Sequence, residues 1–288
     1  MDRPVDPGTI VATADTSATV LERLLRRDRA VVATGLVGIV VLAWLYLVHM
    51  AQAMAAEMAE MERHAAMGMA MPQLHGWSAA DIALLFVMWS VMMVAMMVPS
   101  AAPMILTFTA VHRRRRAERR PTVPVAVFLA GYLVIWVVFA AAATLAQWGL
   151  HAAALMSAAM TTSSAVLGGL LLIAAGLFQW TPLKAICLAQ CRSPLSFLLT
   201  RWRDGVRGAF MMGIDHGLYC VGCCWMLMSL LFVAGVMNLL WVAAIASVVL
   251  VEKVVPGGDR IARVAGVVLV AAGLLMIGTA WGPSERSA

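Results

Sequence analysis

Apolar residues run along this chain in stretches of about twenty, the length that crosses a hydrocarbon core about 30 Å thick, separated by short polar or basic segments. The pattern predicts seven helical spans, at about 30–49, 79–110, 124–147, 163–180, 208–232, 238–254 and 261–281. Pro99 and Pro103 fall inside the second, predicting a kink that neighbouring helices must satisfy. The sixth span is short and joins the fifth tightly, so a re-entrant hairpin is an alternative there. Residues 1–20 are polar and predicted to lack structure; residues 1–29 form a polar, basic leader. The run that starts at Ala30 reads as a retained signal anchor. The fold class expected is all-α: a polytopic transmembrane helix bundle occupying about 30–282, with no soluble domain and no internal repeat.

Composition agrees. The 288 residues are 62% hydrophobic and 12% charged, where a soluble domain carries roughly twice that charge. The net charge of +6 does not point to nucleic acid, because the basic residues sit at predicted helix ends, at 22–29, 112–120, 183–207 and 252–260. Seven spans put all four segments on one side. Positive segments stay cytoplasmic, so the N-terminus is expected inside and the C-terminus outside a bacterial-type inner membrane.

Sulfur changes the picture. Thirteen of the 22 methionines lie between positions 50 and 104. In the expected outward loop at 49–77, Met50, Met54, Met58 and Met61 recur at helical spacing, followed by Met67, Met69 and Met71, with His49, His64 and His75 around them. Thioethers select Cu(I), and imidazole suits copper and zinc. The plainer alternative is an amphipathic helix whose methionines fill gaps. In the second span, Met88, Met92 and Met96 form one stripe and Met93 and Met97 the next. Such a ladder could hold a soft monovalent cation without burying charge; a plastic packing surface is the alternative.

The five cysteines, Cys187, Cys191, Cys220, Cys223 and Cys224, fall within 38 residues. That is no secreted disulfide framework. At helical pitch Met212, His216, Cys220, Cys223 and Cys224 lie within an arc of roughly 120°. Asp215 sits beside that arc, able to bond a histidine, balance a metal or pair with a basic residue. Ionisable groups at membrane depth mark function by default. Cys187 and Cys191, four apart, share a helical face on the inner side, flanked by Lys184 and Arg192, which favour the thiolate that binds metal. One helix cannot wrap a metal alone; facing the 220–224 cluster, this pair would be the best candidate for the remaining ligands or for an acceptor site on the inner side, the plainer alternative being two small residues that pack a short interfacial helix.

The segments "MWSVMMVAMMVPSAAPM", "QWTPLKAICLAQCRSP" and "GIDHGLYCVGCCWMLM", with "EK" at 252–253, resemble the DUF2182 family of predicted metal-binding integral membrane proteins, over about 80–255. The resemblance implies metal binding through the pairs Met92–Met93 and Met96–Met97, with Cys187, Cys191, His216, Cys220, Cys223 and Cys224. It also implies a small soluble partner encoded nearby. The Met/His-rich loop lies outside the resemblance.

The resulting expectation is a membrane protein that handles Cu(I), by transport or by delivery to a partner, as a monomer or a homo-oligomer. No phosphate-binding loop or phosphorylation motif is present to drive active transport. Two alternatives stand beside it. "CVGC" has the spacing of a thiol–disulfide oxidoreductase. Four thiolates would also suit a structural zinc in a subunit that works with a soluble partner.

Overall fold

The computed structural model describes residues 7–67, 78–117, 124–153 and 164–280. Its ten helices, in chain order among the described residues, are α1 (Pro7–Ala66), α2 (Ala79–Ala117), α3 (Val125–Ala152), α4 (Ala165–Phe178), α5 (Pro182–Arg192), α6 (Pro194–Arg201), α7 (Gly205–Ser229), α8 (Leu231–Ala234), α9 (Leu239–Val254) and α10 (Gly258–Ala280). The all-α helix bundle is as the sequence predicts. Local chemistry sets several starts. Ser78 and Asp81 exchange hydrogen bonds ahead of α2. The Ser164 and Asn238 side chains accept from Leu167 and Trp241 at the heads of α4 and α9. Thr181, followed by Pro182, caps α5, as capping chemistry favours.

Each expected span corresponds to a helix, but not each helix is a full span. Among the described residues five stretches are long and apolar enough to cross a membrane: Arg29–His64, Ala79–Arg115, Val125–Ala152, Gly205–Ala234 and Gly258–Thr279. A sixth arises if α4 and α5, bent by 64°, count as one broken span. With 14 residues in α4 and 16 in α9, and a rise of 1.5 Å per residue, neither reaches the ~30 Å of a bilayer core. Large apolar side chains such as Leu42, Leu45, Val138, Leu145, Leu274 and Leu275 cover the outer surface. An exterior of that kind is stable against lipid rather than water.

Two departures concern α1. Its backbone is helical from Pro7, through the polar stretch expected to lack structure, since no proline interrupts it after Pro7. It also runs without a break through the methionine stripe to Ala66. Leu36, Ala43 and Leu47 are buried, and Met50, Met54 and Met58 continue that row half-buried, whereas Met61 and Met67 are exposed. Met50 therefore packs against the core from one long helix, while the rest of the described stripe is half-buried or exposed. Met69, Met71 and His75 lie outside the described residues.

Small residues bring the inner helices together, the device that replaces hydrophobic attraction in lipid. A Cβ on Gly213 of α7 would stand 2.1 Å from the Phe128 carbonyl oxygen, and one on Gly131 of α3 would stand 2.1 Å from that of Phe210. The α3 and α7 backbones thus touch. Gly169 and Gly176 of α4 meet Gly273 and Gly266 of α10 in the same manner. The helix α5 lies against α7, while α2 packs on α1, α3 and α9.

Candidate metal centre

The close α3–α7 crossing puts Gly213, Gly217 and Cys220 on one face of α7, at i, i+4 and i+7. Tyr132 of α3 is carried to the same level. Its hydroxyl lies 3.2 Å from Cys220 Sγ and donates to the Met97 carbonyl oxygen at 3.1 Å. Ser100 donates to that same carbonyl at 2.9 Å. The Lys253 ammonium donates both to Ser100 Oγ, at 3.2 Å, and to Cys220 Sγ, at 2.8 Å. Lys253, Ser100, Met97, Tyr132 and Cys220 therefore form a closed polar ring drawn from α2, α3, α7 and α9. Every member is satisfied, the condition under which a buried polar network is tolerated.

The other thiols gather around this ring. Cys223 and Cys224 turn back to donate to the Cys220 carbonyl, at 3.1 and 2.8 Å. Cys224 Sγ also lies 4.0 Å from Met97 Sδ. From α5, Cys191 is buried on the side packed against α7, within electrostatic range of Cys220 and Cys223. Cys187 Sγ sits where a Cβ on Gly222 would stand only 2.7 Å away. The α7 thiols are 1% exposed and the α5 thiols 8% exposed, and all five are free. In this geometry the α5 pair packs against α7, the condition under which it is a candidate for the remaining ligands. Among the described residues, no three His, Cys, Asp or Glu side chains stand as a ready-made cage for an ion. Two thiols are turned onto a backbone carbonyl, and the ammonium of Lys253 takes the place beside Cys220.

Other predicted site residues are distributed along the same axis. Met92, Met93 and Met96 are buried with Met88 in the core beside Met97. Met212 Sδ, two turns before Cys220, accepts from the Arg203 backbone N–H at 3.4 Å. His216 stacks with Phe128 and Tyr132 and meets Phe197 edge-on, with ring centroids 5.6–6.2 Å away, and its Nδ1 is buried with no hydrogen-bond partner. Asp215 takes the last of the three roles open to it: its carboxylate lies 3.2 Å from Arg203 Nη2 and 4.0 Å from Arg201 Nη1.

The cation at the thiols is not one of those flanking the α5 pair. Lys184 is buried against Glu252 at 2.7 Å and also bonds Gln179. Arg192 donates to the Val255 carbonyl and to Asp259. Both side chains pin α5 to the end of α9 and the start of α10. Tyr132 and Ser100 were not singled out from sequence, and Lys253 entered there only within the "EK" of the family resemblance and the basic segment 252–260, with no role at the site. The one available signal was "VVLVEKVV", two charges inside an apolar run, which reads equally well as a cytoplasmic loop signal.

The donor set is thus soft sulfur with one fixed cation. No curated protein and no solved structure matches the chain. A family model described as PpoB2, copper chaperone, matches residues 86–276, and leaves out the methionine- and histidine-rich segment at 49–77. That match covers two thirds of the sequence and includes every helix that carries a thiol, from the methionine-lined α2 to α10, and the chain belongs to this copper chaperone family.

Proposed function

We propose that the protein holds Cu(I) as cargo at the α5–α7 thiols beside Met97 and delivers it to a partner protein. The observation that carries this reading is the gathering of sulfur from three helices: Cys220, Cys223 and Cys224 of α7, the buried Cys187 and Cys191 of α5 packed against that helix, and Met97 Sδ of α2 at 4.0 Å from Cys224. Thiolate and thioether are the ligands that select Cu(I). Two or three sulfurs suffice for Cu(I), whereas structural zinc requires four in a tetrahedron. The thiol contacts seen here supply the first requirement more readily than the second. His216, one turn from Cys220 with an unpartnered buried nitrogen, is a further donor at the edge of the site.

In this reading the buried methionines of α2 lead from the membrane exterior toward the thiols, whose thiolates bind more tightly. The basic segments keep the N-terminus cytoplasmic. The acceptor is a small soluble or peripheral protein that takes copper by ligand exchange, since a chaperone's cargo must leave without a change of charge or oxidation state.

The experiment is copper titration of the full chain, purified anaerobically in detergent with reduced thiols, followed by transfer to a copper-free cuproprotein. One Cu(I) per chain, lost on Cys220→Ser or Cys224→Ser, supports the reading. A metal-free protein with a reducible Cys220–Cys223 bridge would replace it with thiol–disulfide exchange. Tightly held zinc that survives replacement of Met92, Met93, Met96 and Met97 would replace it with a structural site.

A further inference from the structure

Lys253 is buried, and among the described residues no carboxylate forms an ion pair with it. Its neighbour Glu252 is engaged by Lys184, at 2.7 Å, so those two charges cancel. Asp215 is taken by Arg203 on the far side of α7. One positive charge is left over at the heart of the bundle, and its electrostatic neighbours are Cys220, Cys223, Cys224 and Cys191. A buried ammonium without an anion is costly. The anion has to come from sulfur.

We infer that Lys253 is the built-in counter-ion of the metal site: its ammonium balances the net negative charge of a copper(I) held between two thiolates. The inference rests on the reading of Cu(I) as cargo and deepens it. Two thiolates carry −2 and Cu(I) carries +1, which leaves −1 in a low-dielectric interior. The fixed ammonium brings the assembly to neutrality. A methionine-only site would need no such charge, since thioethers are neutral; thiolates do. The ring through Ser100, Met97 and Tyr132 holds the ammonium 2.8 Å from Cys220. It also prevents the long side chain from retreating to a membrane surface. Lys253 is therefore a positioning residue that sets affinity without being a ligand.

The test measures Cu(I) affinity of the full chain in detergent by competition with bathocuproine disulfonate, for the wild type and for Lys253→Met, Lys253→Gln and Lys253→Arg. The neutral variants are expected to bind at least tenfold more weakly at unchanged stoichiometry, while Lys253→Arg stays within about threefold of wild type. Lys253→Gln keeps donors for Ser100 and serves if the methionine variant does not fold. Equal or tighter binding by a folded neutral variant overturns the inference, as does an arginine variant as weak as the neutral ones. A wild type that binds no Cu(I) overturns the proposed function itself, and so is told apart from failure of Lys253 alone.

Discussion

Tyr132 and Cys220, 88 positions apart in the chain, meet with Oη and Sγ 3.2 Å apart, while the same hydroxyl donates to the Met97 carbonyl. One phenol thereby registers α3, α2 and α7 against each other at the level of the thiols. Tyr132→Phe keeps the ring and deletes both contacts. The substitution should cost about 1–3 kcal/mol, the penalty for leaving buried partners short of a hydrogen bond, measured by denaturant unfolding in detergent.

The crossing of α3 and α7 allows no extra atom. At Gly213 an added Cβ would meet a backbone carbonyl at 2.1 Å, whereas at Gly149 it would meet nothing within 4 Å. Gly213→Ala is expected to abolish stable expression or to lower the melting temperature sharply. Gly149→Ala, in the same membrane preparation, should leave melting unchanged or slightly raised, because alanine is the better helix former.

The Lys184–Glu252 pair is buried on both sides. Breaking such a pair from one side leaves an uncompensated charge and costs about 3–5 kcal/mol. Lys184→Met and Glu252→Gln should each be strongly destabilising, and the double variant clearly less so than their sum. A double-mutant cycle on thermal unfolding reads the coupling directly.

Met97 and Met88 lie nine residues apart on α2, about 13 Å at helical rise, and only Met97 is in reach of Cys224 in the structure described above. Leucine conserves their volume, so either substitution should change stability by less than about 1.5 kcal/mol. Met97→Leu is expected to weaken Cu(I) binding about tenfold, or about 1.4 kcal/mol, and Met88→Leu to leave it unchanged, as read by chelator competition.

What was legible in the sequence was local. Helical pitch places Met212, His216, Cys220, Cys223 and Cys224 on one face whatever surrounds them, and all five are buried. The seven apolar runs became helices for the same reason. What was not legible depends on partners far along the chain. Lys184 and Arg192 resemble loop cations because Glu252, Val255 and Asp259, which engage them, are more than 60 residues distant. Segment 183–207, where Cys187 and Cys191 were expected on a helical face, folds into α5 and α6, and what the sequence did not show is that Cys187, Leu188 and Cys191 are buried there. The methionine row of α1 left two readings open from spacing alone, and the structure adds that Met50 continues the line of Leu36, Ala43 and Leu47 against the core.

Glu252 and Lys253 are adjacent residues that grip different helices, the former through Lys184 of α5 and the latter through Cys220 of α7. A single peptide unit of α9 is thus the yoke between the two thiol-bearing segments. Any displacement of α5 would pull on Glu252 through Lys184 and so shift the ammonium at Cys220. The two thiol-bearing helices are thereby coupled through one peptide unit.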